Sequence, residues 1–179
     1  LNKNKINCPE TYIFRGQKAA SGFISNYNFK SKVIYKPLFG SQGDNIRLIE
    51  RPSDFEKIEN QTNIYYFQEY LDNSPNYDYR VLVINNNDDI KYFYMTRYGE
   101  TFINNFSKGA KCIKEKLNED VIELAIKSSR LLNIDFCGVD IIEYKRQYYV
   151  IEVNSIPAWK GLQKVESANI SDYITSLFA

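Results

Sequence analysis

Asp140-Ile-Ile-Glu-Tyr-Lys-Arg-Gln-Tyr-Tyr-Val-Ile-Glu-Val-Asn154 reads as a β-hairpin that turns three oxygen-bearing side chains toward one spot. Tyr144 and Tyr148 flank a short polar turn, Lys145-Arg146-Gln147, between two runs rich in β-branched and aromatic residues. Pairing those tyrosines sets Asp140 directly opposite Glu152. Side chains along a strand repeat every two residues, so Asn154 shares the face of Glu152. Carboxylates set opposite each other repel, and a sheet disfavours such a pair. A divalent cation removes that penalty, and the all-oxygen set of Asp140, Glu152 and Asn154 suits magnesium, with phosphate and water completing its shell. The other reading of the same residues is a solvent-facing polar edge.

The 179 residues suffice for one good core or for two small lobes. Hydrophobic residues make up 44% and charged residues 25%, the proportions of a soluble globular protein. A formal net charge of +1 supplies no global field for nucleic acid or an anionic membrane. No apolar run is long enough to span a bilayer and no signal peptide is present. The chain opens on Leu1, which is read as the start of a fragment of a longer product. Cys8, Cys112 and Cys137 are widely spaced, an arrangement that favours a reducing, cytoplasmic setting and argues against a zinc site or disulfide framework. Cys137 falls in an apolar strand and reads as a buried thiol. Histidine is absent, which excludes Ser-His, Cys-His and His-metal mechanisms within this chain.

Along the chain, residues 32–37 form a strong strand and residues 46–50 a second, joined as a glycine-tipped hairpin. Residues 52–59 read as a short helix with Ser53 as its cap. Residues 64–71 form an aromatic strand, and residues 79–84 and 91–97 another hairpin around 85–89. Val121, Leu124, Ala125, Ser128 and Leu131 recur at helical spacing over 119–132, with Asn118 as cap. A short helix starts at Ser171. Lys111, Lys114 and Lys116 read as a solvated face. Hairpins interleaved with single helices indicate an α+β fold rather than a doubly wound parallel sheet.

Gly40-Ser41-Gln42-Gly43 lies between two strands, just after Lys36. Glycines let a backbone approach a ligand, and successive N–H groups can cradle phosphate oxygens. Lys36 can add an ammonium to the same phosphates. The lysine precedes the glycines and no helix follows directly, so this is not a Walker A loop. Taken alone, a glycine-containing hairpin turn that binds nothing is the commoner explanation, given how frequent such turns are. Together with an oxygen-rich metal hairpin, it supplies what an ATP-using site without a P-loop requires.

At this point the chain resembles the ATP-grasp superfamily, and within it the RimK-like amino-acid ligases. The matching runs are Lys-Pro-x-x-Gly-Ser-Gln-Gly at 36–43, Gln68-Glu69-Tyr70-Leu71, Asp78-Tyr-Arg80, Phe102-x-x-Asn105, Lys108-Gly-Ala110, Gly138-Val-Asp140 and Glu152-Val-Asn154-Ser-x-Pro157. They stand in the family's order and cover nearly the whole chain. The resemblance implies two α+β lobes that hold a nucleotide between them, a glycine-loop lobe over about 10–70 and a metal-binding lobe over 71–179.

It also implies roles. Lys36 would contact the α- and β-phosphates, with Gly40, Ser41, Gln42 and Gly43 closing over them. Gln68, Glu69, Tyr70 and Leu71 would form the hinge that holds adenine, and Asp78 would lie at the ribose or the neighbouring site. Arg80 and Arg97 would stabilise the transferred phosphoryl group, and Asn105 would face the phosphates and metal. Asp140, Glu152 and Asn154 would ligate two magnesium or manganese ions. The implied activity is ATP-dependent joining of a carboxylate to an amine through an acyl phosphate. Glutamate is the favoured amino acid, and the acceptor would be a small molecule or protein. A nucleotide-binding regulatory module without catalysis is the alternative, and a homo-oligomer stays open. The chain departs from the family at several points. An earlier lysine and an N-terminal lobe would precede Leu1, Ile103 stands where ribosomal-protein-modifying members have Arg, and Ala158 replaces a glycine. The run Trp159-Lys-Gly-Leu-Gln163 is closer to members that add glutamate to a pterin, such as the tetrahydromethanopterin-type ligases.

Overall fold

The computed structural model describes residues 1, 5–39, 43–86 and 89–178. The chain divides into two compact units, Pro9–Asp72 and a second formed by Leu1–Cys8 with Asn73–Ala179.

The Pro9–Asp72 unit is an antiparallel sheet of β1 (Thr11–Arg15), β2 (Val33–Lys36), β3 (Arg47–Ile49) and β4 (Ile64–Glu69), in the order β1-β4-β2-β3. Helices α1 (Gln17–Asn26) and α2 (Pro52–Phe55) close its core. Alternation along the strands decides which face is covered. Val33 and Tyr35 of β2 and Tyr65 and Phe67 of β4 are buried, whereas Lys36 and Ile34 point the other way and pair with Tyr66 and Gln68. No helix is expected over 17–26 from the residues alone, yet Ala20, Phe23, Ile24 and Tyr27 sit at i, i+3, i+4 and i+7 and form one apolar stripe. Gly16, at φ 93, makes the turn into this helix, and the Phe23 ring packs 4.7 Å from Tyr12, 4.9 Å from Phe14 and 5.4 Å from Phe67. The helix expected over 52–59 is a single turn, and Ser53 is not its cap. Pro52 starts it with the φ that a first helical position needs, and Asp54 accepts from the Glu50 N–H at 3.2 Å.

The second unit is a five-stranded antiparallel sheet of β5 (Tyr77–Asn86), β6 (Asp89–Tyr98), β7 (Lys111–Ile113), β8 (Phe136–Tyr144) and β9 (Gln147–Asn154), in the order β7-β6-β5-β8-β9. Strand β7 lies within the lysine run read as a solvated face. Cys112 and Ile113 are half-buried in it, and Lys114 just beyond reaches back to lie 3.6 Å from the centre of the Tyr94 ring. One face of the sheet is apolar: Val81, Val83, Cys137, Val139, Ile141 and Val150 pack with Ile6 and with Val121 and Ala125 of α3 (Glu119–Leu131). Asn118 caps α3, accepting from the Asp120 N–H at 3.0 Å. The N-terminal stretch joins this unit through Ile6 and through the Val150 N–H, which donates to the Asn7 carbonyl at 2.9 Å.

The opposite face is divided along its length. Leu82, Ile84, Phe93 and Met95 pack with Leu162 of α4 (Lys160–Gln163) and Ile170 of α5 (Ile170–Thr175). Further along β5 and β6, and on β8 beside them, apolar gives way to charge at Asp78, Arg80, Arg97 and Asp140.

The β8–β9 hairpin reaches the expected Asp140–Glu152 pair by a different route. Tyr144 pairs with Gln147, not Tyr148, around the two-residue turn Lys145-Arg146, whose φ values are 50 and 61. That register alone would set Ile151 opposite Asp140. A β-bulge inserts Ile151 between the Ile141–Val150 and Asp140–Glu152 pairs and restores the carboxylate pairing. Both turn residues sit in the left-handed region that a primed two-residue turn demands and that a Cβ disfavours. Arg146→Gly should therefore raise the unfolding free energy by about 0.5–1 kcal/mol, read from urea denaturation; a destabilised variant would contradict this turn geometry.

Candidate active site

Four charges occupy the polar end of the second sheet. Cross-strand pairing alone sets Asp78 beside Arg97 and Arg80 beside Asp140, all on one face. The side chains complete it. Arg97 donates from Nε to Asp78 Oδ1 at 2.6 Å and from Nη2 to Asp78 Oδ2 at 2.8 Å, and its Nη2 lies 3.1 Å from Asp140 Oδ1. Arg80 grips Asp140 with both Nε and Nη2, the latter donating to Oδ2 at 2.7 Å. Asp78, Arg80, Arg97 and Asp140 are 4%, 8%, 3% and 3% exposed. Isolated charges at that depth would be prohibitive. Two guanidinium groups against two carboxylates sum to zero, and bidentate geometry satisfies the oxygens.

The two carboxylates feel this unequally. At Asp78 burial outweighs its one guanidinium partner and pushes the pKa from 3.8 up to about 6. Asp140 is as deeply placed, but Arg80 and Arg97 together overcome the burial and hold it below the ordinary carboxylate value. Burial alone would lower the Arg97 pKa, but Asp140 and Asp78 reverse that and raise it.

Gly138 makes room for this arrangement. A Cβ there would stand 3.2 Å from Arg80 Nη1 and 2.9 Å from the Pro157 Cβ, so only a bare backbone leaves room for both. Glu152 pairs with Asp140 and Asn154 with Gly138, which puts both on the charged face. Glu152 is exposed and Asn154 half-buried, and neither has a hydrogen-bond or ion-pair partner among the described residues.

The expected metal ligands therefore divide. Asp140 accepts two hydrogen bonds from Arg80 and lies 3.1 Å from Arg97 Nη2, which leaves it little free acceptor capacity. Glu152 and Asn154 offer oxygens of the kind a hard divalent cation takes. Among the described residues, no group of three or more His, Cys, Asp or Glu could by itself hold a metal. The donor set thus fits such an ion through Glu152 and Asn154, with Asp140 contributing what capacity remains.

The other expected site residues lie elsewhere. Asn105 precedes a 3-10 turn, Phe106–Lys108, and its carbonyl accepts from the Lys108 N–H at 2.9 Å. That turn is seated by the Phe106 ring, which would lie 3.1 Å from a Cβ at Gly161 of α4. Lys36, Gly43, Gln68, Glu69, Tyr70 and Leu71 belong to the Pro9–Asp72 unit. There Lys36 and Gln68 lie on the face opposite the helices, where Gln68 is buried. Gln68 donates to Thr11 Oγ1 at 3.4 Å, and the Tyr70 N–H donates to the Lys32 carbonyl at 2.9 Å. Gly43 has φ 78, a value that suits glycine. Gly40, Ser41 and Gln42 lie outside the described residues.

Asp78, expected at the ribose or the neighbouring site, is buried with both oxygens on Arg97. The sequence reading also missed Asp140 as a shared counter-ion and Gly138 as the space for Arg80. Asp and Arg alternating at 78 and 80, with Arg97 on the facing strand, was the available signal.

This combination of sheets and helices is the ATP-grasp fold. The chain superposes on the D-alanine-D-alanine ligase of Coxiella burnetii with a TM-score of 0.73 at 11% identity, covering 99% of this chain and 53% of that one. It superposes on the ATP-grasp ligase PsnB complexed with minimal precursor, Mg and ADP with a TM-score of 0.66 at 17% identity, covering 99% and 56%. Residues 1–177 match the RimK-like ATP-grasp domain, and the chain belongs to that family. Among curated relatives, it is 31% identical over 182 residues to the tetrahydromethanopterin:alpha-L-glutamate ligase of Methanocaldococcus jannaschii, covering 96% of this chain and 60% of the relative. It is 30% identical over 183 residues to the alpha-aminoadipate–LysW ligase LysX of Saccharolobus solfataricus, covering 97% and 65%. The chain thus spans less than two thirds of the length of these relatives.

The Asp78 shift sets a sign for stability. The folded chain holds the Asp78 proton more tightly than the unfolded one between pH 3.8 and about 6, so this group's contribution falls as pH rises across that window. Asp140 acts oppositely, and its contribution is lost as pH falls below 3.8. Asp78→Asn should flatten the slope of the urea midpoint between about pH 4 and about pH 6 relative to wild type. An unchanged slope would show that Asp78 does not titrate there.

Proposed function

We propose that this chain is the ATP-grasp part of a carboxylate–amine ligase that forms an amide bond through an acyl phosphate. Glutamate is the favoured amino acid, as in the relatives named for glutamate ligation. The observation that carries the reading is the pair of buried, carboxylate-held arginines on one sheet face with the unpartnered oxygens of Glu152 and Asn154.

A carboxylate oxygen of one substrate attacks the γ-phosphorus of ATP, and the bond to the bridging oxygen breaks, releasing ADP. The amine nitrogen of the second substrate then attacks the acyl carbon. The C–O bond to phosphate breaks, the nitrogen loses a proton, and inorganic phosphate leaves. Both steps need positioning and charge neutralisation more than a covalent nucleophile, so a chain without histidine is competent for them. Arg97 and Arg80, held rigid by their carboxylates, present N–H groups to the oxygens of the phosphoryl group in flight. By the family resemblance, Lys36 would neutralise the α- and β-phosphates, Gly40, Ser41, Gln42 and Gly43 would close over them, and Gln68 to Leu71 would hold the adenine. Asn105 adds an amide toward the phosphates. Bound magnesium or manganese, one ion or two, supplies further neutralisation of the phosphate oxygens; Glu152 and Asn154 would hold it, with Asp140 as the third ligand. The setting is cytoplasmic, in keeping with three cysteines that are all free and with no helix, among the described residues, long and apolar enough to cross a membrane.

Glu152→Gln keeps the size and loses the charge of an exposed side chain, so the fold should survive, as judged by circular dichroism. Magnesium-dependent release of phosphate from ATP should fall by roughly three orders of magnitude. Near wild-type turnover in that variant would sink the metal assignment.

A further inference from the structure

We infer that Asp78 is a positioning residue for Arg97 and not a ligand of the nucleotide: its carboxylate fixes the orientation in which that guanidinium meets the transferred phosphoryl group. This rests on the ligase reading of the site.

The geometry leaves Asp78 little else to do. A ribose hydroxyl needs a free acceptor, and both oxygens of this side chain are already taken by Arg97. The two residues are direct cross-strand partners in β5 and β6, ten-residue strands paired along their whole length, so the backbone itself holds the pair in register. A planar guanidinium has five N–H donors in a fixed fork. Nε and one N–H of Nη2 go to Asp78, and Nη2 also lies 3.1 Å from Asp140 Oδ1 as an ion pair. That leaves the pair on Nη1 for phosphoryl oxygens. The two carboxylates therefore choose which edge of Arg97 is offered. Arg80 is held the same way by Asp140, through Nε and Nη2.

An amide at position 78 would keep the shape but lose this selection. One oxygen can still accept, but the NH2 group faces an N–H donor of the guanidinium, so the planar grip is lost and Arg97 is free to rotate. Such a change should be felt where Arg97 meets the phosphoryl group and not where the nucleoside binds.

The test is calorimetric, with magnesium present, using ADP and a non-hydrolysable ATP analogue on the wild-type chain, Asp78→Asn, Arg97→Gln and the double variant. Asp78→Asn should leave the ADP dissociation constant within about twofold of wild type while weakening the analogue about tenfold, because only the analogue carries the γ-phosphate. In the Arg97→Gln background the same change should add nothing further, the signature of one residue acting through another. Equal weakening of ADP and analogue would overturn the inference in favour of a ribose contact. So would additive losses in the double variant, or wild-type affinities in Asp78→Asn. Should the single variant fail to fold, the double variant, in which two neutral amides replace the ion pair, decides: ADP affinity near wild type upholds the inference, and a loss of about tenfold or more overturns it. A wild-type chain that binds neither ligand would instead remove the ligase reading, and a positioning role would fall with it.

Discussion

Two arginines and two aspartates buried on the face of a sheet constrain everything around them. Removing such charges from water costs several kcal/mol each, and only close, multiply hydrogen-bonded pairing offsets it. Arg97 must therefore lie across from Asp78, Arg80 must lie across from Asp140, and Arg97 must also reach Asp140 so that neither guanidinium is left short of acceptors. Those demands fix the registers of β5 against β6 and of β5 against β8. They also explain a glycine at 138, since any side chain there would crowd both Arg80 and Pro157. A fully apolar face would be cheaper to fold. Retaining four buried charges makes sense where charge is handled chemically, and phosphoryl transfer is such a case.

The same sheet face carries its own support. Leu82, Ile84, Phe93 and Met95 continue the strands that hold the charges and are locked against α4 and α5, while α3 secures the reverse face. The arginines thus ride on strands held by packing on either face, which suits a site that must hold donors still. Glu152 lies at the outer edge, on β9, and owes its place to the bulge at Ile151. Without the bulge, the register of the turn would set Ile151 opposite Asp140 and move Glu152 to the other face. A bulge beside a site, re-aiming a side chain, is a recurrent use of that irregularity.

How much was legible in the sequence follows from which interactions are local. The facing of Asp140 and Glu152 was readable, although from a three-residue turn without a bulge; the actual two-residue turn and the bulge offset each other by one position each. Helix α3 was readable because its stripe, its cap and its length agree. Helix α1 was not, since Ser21, Gly22 and Ser25 dilute a stripe whose strength comes from the aromatic residues of β1 and β4 packed on it. Strand β7 hid among lysines because one edge strand of three residues leaves little alternation to see. The partner of Asp78 was only half legible: Arg97 could be placed on the facing strand, but a hairpin centred on Asn87 would set Thr96 opposite Asp78, and the shift of one residue that makes it Arg97 is a matter of sheet register.

The central claim is that Arg97 and Arg80, oriented by Asp78 and Asp140, form the phosphoryl-binding edge of this family member. A crystal structure of the protein with magnesium and a non-hydrolysable ATP analogue tests it most directly. The account predicts γ-phosphoryl oxygens accepting hydrogen bonds from both arginines, the ion on Glu152 and Asn154, and Asp78 still paired with Arg97. A γ-phosphate lying away from both guanidinium groups, or Asp78 turned to the ribose, would contradict it.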